Sequence, residues 1–209
     1  MGQRMGWELG EKGDYSNILS VPPLGKDSVV LDIGANLGDV SILLAKLNPN
    51  AHVFTFEASP VTFKFLQRNI EANGVEAQIT IRNLAVMDSD GQNLTLYACR
   101  AMNPGGNTMK DDFINKKHGH GTIKKCPKYK VPSISFPTIL KTFGIVKVDL
   151  LKLDCEGCEE NVIPQIPAGV VSKVSGECHP AVYGNPKFME VCRMYLMPST
   201  NPPDSDHLE

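Results

Sequence analysis

Val29-Val30-Leu31-Asp32-Ile33-Gly34-Ala35-Asn36-Leu37-Gly38 is the stretch on which the reading of this chain turns. A short apolar run ends in an acid and a glycine turn, and an amphipathic segment follows from Val40 to Leu47. That order is a buried strand feeding a tight turn and a helix, as α/β nucleotide-type folds begin. Gly34 can adopt backbone angles closed to other residues, and Gly38 lets helix and ligand come close. The turn leaves unpaired backbone N–H groups beside the strand end, where a small ligand can be held.

Two ligand classes use such a turn. A dinucleotide needs G-x-G-x-x-G so that backbone amides touch a pyrophosphate. Here the second glycine position is Asn36 and the third falls on Asp39. A pyrophosphate would also meet the carboxylates of Asp32 and Asp39, which repel it. S-adenosylmethionine has no phosphate and carries a positive sulfonium, so acids near the turn are acceptable. Glu57 ends the next apolar strand, Val53 to Phe56, and is placed to accept hydrogen bonds from two ribose hydroxyls. NAD sites have such an acid too, so the glycine spacing decides for the methyl donor.

Three more motifs follow in order: Phe56-Glu57-Ala58-Ser59-Pro60, Asn83-Leu84-Ala85-Val86 and Lys152-Leu153-Asp154-Cys155-Glu156-Gly157-Cys158-Glu159. With Asp32 to Gly38 they resemble the FkbM family of S-adenosylmethionine-dependent methyltransferases, over roughly residues 28 to 180. The D-x-E-G-x-E pattern at 154–159 is the more family-specific mark. The resemblance implies a Rossmann-like class I methyltransferase fold, S-adenosylmethionine as cofactor and methylation of a hydroxyl oxygen. It also implies an adenine contact near Asn83 and Ala85. The acceptor, a small molecule or a glycan, is not written in the residues.

At 209 residues and 22.8 kDa the chain suits one domain with a real core. A net charge of −2 predicts no general attraction to nucleic acid. No run reaches the length of a transmembrane helix, and the N-terminus lacks a signal-peptide apolar core. The six cysteines (99, 126, 155, 158, 178 and 192) read as reduced thiols of a cytoplasmic protein.

Along the chain, residues 1–27 form a glycine-rich arm and 28–197 the methyltransferase domain. Residues 198–209, rich in Pro, Asp and Ser, read as a disordered tail. Val40, Leu43, Leu44 and Leu47 recur at helical spacing and should face a sheet. Ser59 and Pro60 open a second helix that Asn73-Gly74 ends. Residues 100–130 are a glycine-, lysine- and histidine-rich insertion, either a solvated loop or a substrate-facing lid. A basic lid would favour an anionic acceptor. After it come a strand at Val131–Ser135, a helix at 137–143, a central strand at Val148–Leu153 and a helix from Glu156 to Ile163. A strand from Val170 to Glu177 and a helix from Lys187 to Leu196 complete the series. No alternating hairpin follows, so the last strands of the usual sheet are expected to be absent.

Ligands in open α/β sheets sit at the carboxyl ends of strands. Five such ends carry polar residues: Asp32, Glu57, Asn83, Asp154 and Glu177/His179. The candidate cofactor-binding set is Asp32, Gly34, Asn36, Gly38, Glu57, Ala58, Asn83, Ala85 and Asp154. Asp32 can bind amides of its own turn or, through water, the methionine amino group; Asn83 can equally make a local turn. The candidate catalytic groups are Asp154, Glu156 and His179. Asp154 is the leading base; Glu156 can instead cap its helix, and His179 can be a turn histidine. Cys155-x-x-Cys158 offers a redox pair or part of a zinc set with Cys178 and His179, against the plainer reading of small buried hydrophobes. The plainer reading is preferred: no metal, and no bond between these cysteines. A cofactor-binding domain without catalysis is the rival to an enzyme.

Overall fold

The computed structural model describes residues 24–98, 107–109, 126–178 and 197–198. The first strand, β1 (Val29–Ile33), leads into α1 (Asp39–Leu47), then β2 (His52–Phe56), α2 (Pro60–Asn73) and β3 (Ile79–Arg82). β4 (Ala85–Met87) and β5 (Asn93–Tyr97) follow, then β6 (Lys128–Ser135), α3 (Phe136–Phe143) and β7 (Leu150–Leu153). A short α4 (Glu159–Val162) runs on into a 3₁₀ turn, Ile163–Gln165, before β8 (Val174–Cys178) and the two-residue β9 (Met197–Pro198).

Six strands form one sheet in the order β3-β2-β1-β7-β8-β9, and every pairing in it is parallel. A second, three-stranded sheet has the order β4-β6-β5, with β5 antiparallel to β6. The expected Rossmann-like architecture is therefore present, with an extra small sheet. Where the sequence reading left the final strands out, β9 adds a sixth by pairing Glu177 with Met197.

Strand alternation sorts the core. Val30, Val53, Ile79 and Leu150 face α1 and α2, packing with Leu44, Leu66 and Ile70. Leu31, Ile33, Phe54, Phe56, Leu151 and Leu153 face α3 and α4, packing with Phe136, Ile139 and Val162. Helices thus cover both faces, as a parallel sheet requires.

The caps of α2 follow the sequence reading: Ser59 accepts from the Thr62 amide at 3.2 Å, Pro60 stands first, and Gly74 is left-handed at φ 65°. α3 repeats the device with Ser135, Pro137 and Gly144. Several local expectations change, among them the strand expected from Val170, which begins at Val174. Leu47 is 57% exposed, and Ile42 and Ala45 take the buried positions on α1 instead. The helix expected from Glu156 begins only at Glu159, because Glu156 (φ 51°) and Gly157 (φ 117°) hold a turn. The last central strand starts at Leu150, with Val148 joined only by an isolated bridge to Val171. Among the described residues no helix is long and apolar enough to cross a membrane. The arm at 1–23, most of the 100–130 insertion, the helix at 187–196 and the tail from 199 lie outside the described residues.

Candidate active site

The turn after β1 is built by close backbone approach. Gly34, at φ 81°, lies so near β7 that a Cβ on it would stand 1.9 Å from the Asp154 carbonyl oxygen. Gly38 (φ 87°) has a different purpose from the one expected. A Cβ there would meet Leu66 Cδ1 at 2.4 Å, so this glycine lets α1 pack on α2. Among the described residues it does not line the cleft formed at the strand ends.

That cleft is narrow and partly open to solvent, and lies where a small ligand meets the strand ends in folds of this kind. Gly34, Asn36, Glu57, Ala58 and Ala85 line one side, and Asp154, Cys155, Glu156 and Cys158 line another. Asn107 and Met109, from the insertion after β5, also line it. Seven of the sequence-predicted residues thus converge: Gly34, Asn36, Glu57, Ala58, Ala85, Asp154 and Glu156.

Glu57 is buried, and both its oxygens accept backbone hydrogen bonds. Oε2 accepts from Asn36 N at 2.9 Å and Oε1 from Ser59 N at 2.8 Å. Burial pushes its carboxyl up to about 7, against the lowering effect of those two amides. Asn36 takes a left-handed φ of 51°, and its Oδ1 is buried without a hydrogen-bond partner. An orphaned acceptor on the wall of a cleft is a place for a ligand's donor. Asp39 lies behind the turn, where burial, and next the charge of Asp32, raise its carboxyl.

Asp32 and Asn83 serve the frame and do not line the cleft. Asp32 is fully buried. Its Oδ2 accepts from the Ser41 hydroxyl at 2.6 Å and Oδ1 stands 3.4 Å from Lys152 Nζ, in place of the expected turn amides. Asn83 donates from Nδ2 to the carbonyls of Glu57 (2.8 Å) and Ala58 (3.0 Å), so it holds the β2 exit from behind. The turn 154–158 is clamped by Glu159, whose carboxylate accepts from Cys155 N (3.0 Å) and Gly157 N (2.9 Å). The capping considered for Glu156 therefore falls to Glu159. The Thr108 hydroxyl donates to the Glu156 carbonyl at 2.7 Å, tying the insertion to this turn. His179 lies outside the described residues.

The cysteine reading is corrected. Cys155 and Cys158 form a disulfide, with Cα atoms 5.4 Å apart. The left-handed Glu156 and Gly157 curl the chain between them and bring the Cα atoms within bonding range. Cys155 is only partly buried, whereas Cys158 is buried. Cys126 is disulfide-bonded as well. The cytoplasmic expectation, which drew on reduced thiols, loses that support. A bonded pair also has no thiolates to give a zinc ion.

The donor set selects among ligands. The described lining carries three carboxylates, Glu57, Asp154 and Glu156, together with Asn36 Oδ1, and no Lys, Arg or His. Such a wall suits a ligand rich in hydroxyls and amines with a positive centre and repels a pyrophosphate. S-adenosylmethionine has that chemistry, and these residues fit it. Sequence reasoning missed Lys152, Thr108, Asn107 and Met109. Lys152 was visible as a lysine inside an apolar strand; the other three sit in a polar stretch with no periodic signal.

The family model for the methyltransferase FkbM domain matches residues 32–199. Methyltransferase sdnD of Sordaria araneosa is 25% identical over 169 residues, 72% of this chain and 62% of that protein. The tRNA(Phe) (4-demethylwyosine(37)-C(7)) aminocarboxypropyltransferase of Pyrococcus horikoshii is 30% identical over 139 residues, covering 61% of this chain and 48% of the relative. The chain thus spans less than two thirds of the length of either. Among solved structures, the precorrin-6Y C5,15-methyltransferase of Geobacter metallireducens superposes at a TM-score of 0.37. It is 17% identical, over 68% of this chain and 48% of that one.

Proposed function

Because the chain belongs to the FkbM methyltransferase family, whose cofactor is S-adenosylmethionine, we propose that it methylates a hydroxyl oxygen of a small-molecule or glycan acceptor. The observation that carries this reading is the convergence of Gly34, Asn36, Glu57, Ala58, Ala85, Asp154 and Glu156 on one acid-lined cleft. When bound, S-adenosylmethionine supplies a sulfonium methyl for in-line displacement by the acceptor oxygen.

Each residue has a distinct part in the proposal. Glu57, held by two backbone amides, accepts the ribose hydroxyls through its remaining lone pairs. Ala58 and Ala85 give the flat apolar walls that an adenine needs. Asn36 Oδ1 accepts from the amino group of the donor. Asp154, 19% exposed at the cleft, orients the acceptor hydroxyl and takes its proton, with Glu156 beside it. Positioning of this kind contributes up to ~7–11 kcal/mol, which leaves the base a smaller share.

Isothermal titration tests the donor: S-adenosylmethionine and S-adenosylhomocysteine should bind, and NAD should not. Tighter binding of NAD would sink the assignment. Turnover then separates the chemistries. Methyl transfer releases S-adenosylhomocysteine, whereas transfer of an aminocarboxypropyl group, named for the Pyrococcus relative, would release methylthioadenosine. Binding with neither product, across a panel of hydroxylated acceptors, would favour the non-catalytic domain. Asp154→Asn should lower kcat by ~10²–10⁴-fold with donor affinity little changed, as expected for loss of a general base. Loss of donor binding instead would make Asp154 a cofactor residue.

A further inference from the structure

Lys152 is the one charged side chain buried in the middle of β7, and it is 2% exposed. The register pairs it with Asp32 on β1, so both side chains leave the sheet on the face that α1 covers. Its ammonium stands 3.4 Å from Asp32 Oδ1 and 3.7 Å from Asp154 Oδ2, and donates to the Gly34 carbonyl at 2.7 Å. A buried ammonium is costly to desolvate, and in exchange for apolar packing it contributes little stability. These contacts explain its presence better. One is to the frame acid, one to the glycine turn, and one to the carboxylate at the cleft.

We propose that Lys152 is a positioning residue. It acts through the Gly34 carbonyl and the Asp154 carboxylate, fixing the β1 turn and the β7 end relative to each other. The inference rests on the donor reading above for its ligand, though not for its geometry. In that reading Asn36 Oδ1, on the turn, takes the donor's amino group, while Glu57, which takes the ribose, is held also by Ser59 N from outside the turn. The turn is held to β2 by Asn36 N on Glu57 Oε2 and by the Gly34 and Ala35 amides on the Phe56 carbonyl, and Lys152 adds the tie to β7. The tie is also charge-assisted, the stronger kind of hydrogen bond. Lys152 should therefore matter for the amino-acid end of the donor and little for the nucleoside end.

The test compares two ligands on the wild type, Lys152→Met and the double variant Asp32→Asn with Lys152→Met. The double variant removes the unpaired buried acid, so a folded protein is available if the single variant unfolds. S-adenosylhomocysteine carries the amino-acid end; methylthioadenosine lacks it. Both variants should lose about tenfold or more in affinity for S-adenosylhomocysteine, the scale of a lost charge-assisted hydrogen bond, with methylthioadenosine nearly unchanged. Equal losses for both ligands, or none for either, would overturn the proposal. Hydrogen exchange of the ligand-free protein gives a second, independent readout. Peptides covering Gly34–Gly38 and Asp154–Gly157 should exchange faster in the variants, and those covering α3 should not. Unchanged exchange at both turns overturns the positioning role whether or not the donor binds. Failure of the wild type to bind either ligand, with exchange altered as expected, counts against the donor reading alone.

Discussion

Glu57 joins ligand chemistry to folding thermodynamics. Its carboxyl sits at about 7 in the folded protein against an ordinary value of 4.5. The folded state therefore holds the proton more tightly than the unfolded chain. This contribution to stability is complete below pH 4.5 and is lost as pH rises through 7, by about 3 kcal/mol in all. Glu57→Gln should flatten the difference in urea-unfolding free energy between pH 5 and pH 8; an unaltered slope would mean that Glu57 does not titrate there. In the proposed binding mode the ribose hydroxyls donate to the ionised carboxylate, so donor affinity should rise across the same interval in the wild type and stay level in the variant. The acid itself was legible, because it closes an apolar run. Its two amide partners were not, since they come from Asn36, twenty-one residues earlier, and from Ser59. Asp32 was misread for the same reason: its partners, Ser41 and Lys152, are set by which face of β1 it occupies. A run that is apolar on both faces gives no sign of that face.

At the scale of elements, strands and helices were readable wherever periodicity and caps agreed. α2 is the clearest case, with Ser59, Pro60 and Gly74 marking both ends. The turn at 154–158 was not readable as a turn. Acids at helix starts are common, and nothing in D-C-E-G-C-E separates a capped helix from a clamp in which Glu159 holds two amides. Thr108 extends that clamp from the far side. Thr108→Val keeps the shape and deletes the hydroxyl, leaving the Glu156 carbonyl without this donor. Urea unfolding should register a loss of about 1–2 kcal/mol. The cost should be smaller at the half-buried Thr95, whose hydroxyl accepts from the Lys130 ammonium in a solvent-exposed hydrogen bond. Equal effects at the two sites would show that the tie between the insertion and the turn contributes nothing.

The whole molecule differs most from its sequence reading in its cysteines. Six thiols in 209 residues give no framework spacing, and the reduced reading followed from composition. The fold brings Cys155 and Cys158 together through a local curl, which composition does not encode. Alkylation of the native protein without reductant, followed by peptide mass mapping, should leave Cys126, Cys155 and Cys158 unmodified. All three should become labelled after reduction and unfolding. Labelling of Cys155 and Cys158 in the native protein would restore the earlier reading. The architecture fared better, because the order of apolar runs and the glycine turn specify a parallel sheet before any contact is known. β9 was missed, since two residues carry no period.

The strands that bracket the insertion are hydrogen-bonded neighbours, with Tyr97 directly opposite Lys128. The chain therefore leaves and re-enters the small sheet at one doorway, and only Asn107 and Met109 from the described part of that excursion reach the cleft. The rest of the lining draws on both sheets, Ala85 and Leu96 from the small one and Gly34, Glu57 and Asp154 from strand ends and turns of the large one. The excursion is thus anchored at one doorway and latched a second time partway along, where Thr108 meets the Glu156 carbonyl.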